Sequence, residues 1–103
     1  HKGMNKPKET KMFGTKIKIE WEDHIAGEED EFVYGMFNGE TPLRIQINNK
    51  IEGHEQLDTV IHEGLHAIEH LLEQEIPHPA ICVISRLLAQ YLWPFVKNGK
   101  ANK

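Results

Sequence analysis

The chain has 103 residues, with 12 Lys and Arg against 16 Asp and Glu and a formal net charge of −4, which suits one domain with one modest core. Its charges are scattered rather than gathered into a basic patch, so a nucleic-acid partner is not expected, and the lone Cys82 excludes an internal disulfide. No apolar run approaches the ~18 residues needed to span a bilayer, so no membrane is expected either.

Met4 reads as the natural start, with His1, Lys2 and Gly3 as added residues; no signal peptide is visible in this polar, lysine-rich stretch. Residues 1–14 read as a flexible tail ahead of a single domain over 15–103. From Lys16 to Glu22 polar and apolar residues alternate strictly, which predicts a half-buried strand. His24 to Glu31 is acidic and predicts a loop. Phe32 to Phe37 predicts a second strand. Asn38-Gly39 is a hairpin signal, lengthened by Glu40-Thr41-Pro42. Leu43 to Asn48 alternates again and predicts a third strand.

From Gln56 the period changes. Leu57, Val60, Ile61, Leu65, Ile68, Leu71 and Leu72 recur at spacings of three and four, predicting a helix over about 55–74. Pro77 and Pro79 break it. A second helix is expected over about 79–96, ended or kinked by Pro94. The fold class is therefore α+β: a small three-stranded meander, antiparallel or mixed, followed by two helices on one face.

The first helix carries the chemistry. His62 and His66 stand one turn apart on one face, so both imidazoles can reach one Zn²⁺ at ~2.0–2.1 Å. Glu63 directly follows the first of them and can act as general base, taking a proton from the attacking water and passing it to the leaving amine. The alternative is a solvated helix face decorated with His and Glu.

A catalytic zinc takes three protein ligands and keeps a fourth position open. His70 continues the series, but on a straight helix it lies about 6 Å beyond His66 and about 12 Å beyond His62. His78, past the break and at the entrance to the second helix, is the leading candidate. Glu75, Glu73, Cys82 and the carboxylates of Glu28–Glu31 stay open beside it. Tyr34, Tyr91 and His24 can stabilise an oxyanion if they face the metal; core or surface roles are the simpler reading. Trp21 and Trp93 read as core, and Arg86 as a surface ion-pair partner.

The run Val60-Ile61-His62-Glu63-Gly64-Leu65-His66-Ala67-Ile68, preceded by Tyr34-Gly35 and Arg44-Ile45-Gln46-Ile47, resembles the short zinc-peptidase-like proteins of phages and prophages. These are similar to minimal gluzincins, SprT-like domains and the ImmA/IrrE peptidase domain. The resemblance spans roughly residues 15–95, and its specific part is the HExxH helix. It implies a zincin-like sheet above the active helix, with an edge strand that binds extended peptide substrate; here that edge would be Leu43–Asn48. It also implies a third ligand, often Glu, near the start of the next helix. This chain has His78 near that place instead. The expected function is a zinc-dependent metallopeptidase acting on a protein or peptide in the cytoplasm (the host's, if the chain is phage-encoded). The alternative is a non-catalytic, zinc-stabilised binding module built on the same shell.

Overall fold

The computed structural model describes residues 4–25 and 34–97. Four strands and two helices follow one another: β1 (Glu9–Met12), β2 (Thr15–Glu22), β3 (Gly35–Asn38), β4 (Leu43–Asn48), α1 (Gly53–Leu72) and α2 (His78–Val96). The architecture is α+β, with one mixed four-stranded sheet in the order β1-β2-β4-β3. Phe32, Val33 and the acidic stretch 28–31 lie outside the described residues.

The extra strand corrects the reading of residues 1–14 as a tail. Glu9–Met12 pairs antiparallel with Thr15–Lys18. The reversal between them is made by Phe13 and Gly14, both at positive φ (54° and 72°), as a two-residue hairpin turn demands. Further back, the Trp21 indole N–H donates to Pro7 O at 2.9 Å, and the Ile19 N–H donates to Lys8 O at 2.9 Å. An edge strand needs little apolar content; of β1 only Met12 packs against the core, so its sequence reads as tail.

The sheet is not a meander. β2 runs parallel to β4, from Ile17↔Leu43 to Glu22↔Asn48. β3 is placed on the far side of β4, antiparallel to it. Leu43–Asn48, expected at an edge, is therefore interior and hydrogen-bonded on both sides, while β1 and β3 are the edges among the described residues. The burial pattern of β4 agrees: Leu43, Ile45 and Ile47 are buried and the intervening Arg44 and Gln46 are half-buried. The other face stays polar, with Arg44 3.7 Å from Glu20.

The apolar face of the sheet supplies the core. Ile17, Leu43, Ile45 and Ile47 cluster with Ala67 of α1, and Trp21, Phe37, Val60 and Leu71 close around them. Ala67 is fully buried, and its small side chain lets the helix lie close to the sheet. α1 packs against β3 and β4 on one side and against α2 on the other; α2 touches no strand. The molecule is thus layered as sheet, α1, α2. α2 runs through Pro94 to Val96, and it is long and apolar enough to cross a membrane by length and composition. The sequence reading missed this because Ser85, Arg86 and Gln90 interrupt its apolar run.

Candidate metal centre

α1 presents His62 and His66 from consecutive turns, with ring centroids 5.0 Å apart. The helix ends at Glu73, which takes a left-handed conformation (φ 54°, ψ 41°). There the Gln74 N–H returns to Glu69 O at 3.1 Å and the Glu73 N–H to His70 O at 3.4 Å. These paired bonds form the reversal that commonly closes a helix, with glycine the usual residue at the left-handed position. Residues 74–77 then lead directly into α2, whose first residue is His78.

That short return carries His78 back over α1. Its ring centroid lies 5.2 Å from that of His62 and 5.7 Å from that of His66. One ligand atom from each of the three histidines falls within 4.8 Å of the others. A tetrahedral zinc with Zn–N of ~2.0–2.1 Å spaces its ligands ~3.4 Å apart. The rings therefore need to close by roughly 1 Å, within reach of side-chain rotation. Three neutral imidazoles suit zinc and other borderline transition metals; the cluster fits such an ion without naming it.

Neighbours orient two of the rings. His66 Nδ1 is 2.7 Å from Glu69 Oε1, leaving Nε2 as the nitrogen free for a metal. His78 Nδ1 is 3.8 Å from Cys82 Sγ, one turn along α2. Glu69 also accepts the Ile76 N–H on its second oxygen at 2.7 Å. These two bonds, the backbone one foremost, hold its carboxyl below the usual carboxylate range. Burial lowers the pKa of His62, and the positive charge that His66 and His78 can carry lowers it further, with Asp58 opposing. A lowered histidine pKa keeps the ring in the neutral form that a metal requires.

Glu63 points away from the triad's helical stripe toward β3. It is only 7% exposed. Burial pushes its carboxyl up to about 7, with His66 working the other way. A close crossing of β3 over α1 creates this enclosure. A Cβ at Gly35 would sit 2.6 Å from Thr59 Cγ2 and 3.1 Å from Glu63 Cγ, so glycine is what permits the approach. A cleft of about 680 Å³ opens here, lined by Gly35, Met36 and Phe37 of the edge strand and by Glu63, His66 and Glu69 of the helix.

The remaining candidates stand outside the histidine cluster, although His70, Glu73 and Glu75 line the cleft. His70 packs edge-on against Phe37, with centroids 5.6 Å apart, and lies beneath Gly39. Glu73 and Glu75 line the same cleft as His66 and are exposed. Tyr34 and Tyr91 are exposed, and Tyr91 neighbours Phe95. His24 is exposed. Trp93 is half-buried beside His54. Arg86 reaches Asp58 at 4.0 Å, and Asp58 accepts the Ser85 hydroxyl at 2.6 Å across the two helices. Glu69 and Gly35 gained no site role in the sequence reading. The i,i+3 spacing of Glu69 from His66 was the available signal for the first.

Comparison with protein families, curated proteins and solved structures gives no match for this chain.

Proposed function

We propose that the protein is a zinc-dependent peptidase whose metal is held by His62, His66 and His78 and whose general base is Glu63. The observation that carries this reading is the pairing of a three-histidine cluster with a buried carboxylate on the adjoining residue, with Glu63 and His66 of that set lining one cleft. The HExxH resemblance supports it.

When bound, zinc would polarise the scissile carbonyl and acidify water at its open position. Glu63 takes the proton of the attacking water and returns it to the leaving amine. Its burial keeps competing water away and strengthens its interactions with the reacting groups. Glu69 fixes the His66 ring. The substrate is an extended segment that adds to β3, an edge strand among the described residues, its backbone pairing beside Met36.

The test combines metal content with turnover. Purified protein is expected to bind one zinc per chain, and His78→Ala to lose it. Glu63→Gln should keep the zinc and lower cleavage of an unstructured peptide mixture, followed by mass spectrometry, by roughly 10²–10⁴-fold. A Glu63→Gln protein that cleaves like the parent sinks the mechanism.

Cys82 supports a second reading, a zinc-stabilised binding module. Its sulfur is 3.8 Å from the His78 ring and could complete a closed four-ligand centre. X-ray absorption separates the two: a sulfur scatterer at ~2.3 Å favours the module, and a shell of nitrogen and oxygen alone favours the peptidase.

A further inference from the structure

α2 buries Ile81, Ser85 and Ala89 and leaves a wide apolar face uncovered. Val83, Ile84, Leu87, Leu88, Tyr91 and Phe95 are between 38% and 74% exposed. At about 100° per residue these six fall in one continuous arc of about 140°, uninterrupted by any charge. The charged Arg86 stands at its margin, engaged with Asp58. Scattered exposed apolar residues need no explanation, but a contiguous face does. From typical side-chain areas the six expose roughly 600 Å², the upper end for a monomer and close to the ~800 Å² per partner of a standard interface.

We propose that this face is a homodimer interface, in which α2 packs antiparallel on α2 of a second copy about a twofold axis near Leu87. Three observations select this occupant. A charge-free arc is complementary to itself, as a twofold contact requires, and joining two copies there brings no like charges together. Leu87 is the midpoint of His78–Val96, so antiparallel pairing matches Val83 and Leu87 against Tyr91 and Leu87 and covers the whole arc. The parts of this chain outside the described residues do not suit the face. Residues 26–33 contain Glu28, Glu29, Asp30 and Glu31, and residues 98–103 are mostly polar.

A lipid surface suits it less well. A helix lying on a membrane carries Lys and Arg along its polar rim. α2 has Arg86 alone, already paired, on a chain of net charge −4. The dimer leaves the cleft beside Glu63 and His66 free, because none of the six residues lines it. It would bury α2 on both sides and produce a four-helix centre, α1-α2-α2-α1, flanked by two sheets.

Sedimentation equilibrium of the whole chain from about 1 to about 100 µM tests the proposal. A species of twice the 11.9 kDa chain mass is expected. Leu87→Glu combined with Tyr91→Glu should raise the dissociation constant at least ~100-fold while the helical circular dichroism is retained. A second variant does not depend on tolerating buried charge: Leu87→Cys in a Cys82→Ser background should form an intermolecular disulfide under mild oxidation, and Arg86→Cys in the same background should not. A monomer throughout that range overturns the proposal. So does a dimer that survives the double substitution with no Leu87→Cys crosslink, or a monomer that co-sediments with phosphatidylcholine vesicles, which would assign the face to lipid.

Discussion

The Glu69 carboxylate sits 2.7 Å from His66 Nδ1, and its other oxygen receives the Ile76 N–H at the same distance. One side chain thereby orients a ring of the histidine cluster and ties down the return that delivers His78. Glu69→Ala is expected to weaken zinc binding by about 10–100-fold, the usual effect of losing a group that orients a ligand. Glu69→Gln retains an acceptor and should lose less. Competition against a chromophoric chelator measures both; equal affinity in all three proteins would show that the contact does not organise the site.

Stability of the metal-free protein should depend on pH through Glu63. Its carboxyl ionises at about 7 when folded against an ordinary 4.5. Below 4.5 both states hold the proton and Glu63 imposes no penalty. As pH rises from 4.5 to about 7 the unfolded chain gives up its proton first, so folding stability falls, by up to about 3 kcal/mol above that window. Glu63→Gln removes this slope and should make the chelator-treated protein more stable than the parent at pH ~8. His62 acts at the acid side: its lowered folded pKa costs stability as pH drops below 6.5. Urea melts at a series of pH values read both effects.

Gly35→Ala should destabilise the fold by about 1–3 kcal/mol, because the new methyl group meets Thr59 and Glu63 across the β3–α1 crossing. Thr59→Ser removes the nearest obstructing atom and should recover part of the loss in the double variant. Purely additive effects would place the strain elsewhere.

At the end of α1 the opposite sign is expected. Glu73 holds a left-handed conformation that disfavours side chains. Glu73→Gly should raise stability by up to about 1 kcal/mol in thermal or urea melts, with zinc binding unchanged.

Much of the fold was legible in local pattern. The alternation from Lys16 to Glu22 and from Leu43 to Asn48, and the three-four spacing from Leu57 to Leu72, each mark an element the structure contains. What periodicity does not encode is who pairs with whom. β2 and β4 are parallel and adjacent although β3 lies between them in sequence, and that arrangement depends on non-local contacts. β1 escaped because one half-buried methionine leaves almost no signal. At the site, the i,i+4 histidines could be read directly from helix geometry. His78 could only be proposed, since its approach depends on the left-handed turn at Glu73. Glu69 and Gly35 matter through contacts visible once helix, return and strand are assembled.

The layering of α2 also has a consequence for how the molecule opens. Among the described elements α2 touches α1 alone, through a narrow face that buries Ile81, Ser85 and Ala89. Beyond α1 it is tied by an isolated backbone bridge between Met4 and Lys97, just past its end, so it is the segment most able to detach while the sheet and α1 stay intact. The histidine cluster spans that seam, two of its rings on one helix and one on the other. A bound ion would therefore act as a removable rivet, and amide hydrogen exchange in α2 should slow on adding zinc far more than exchange in β4.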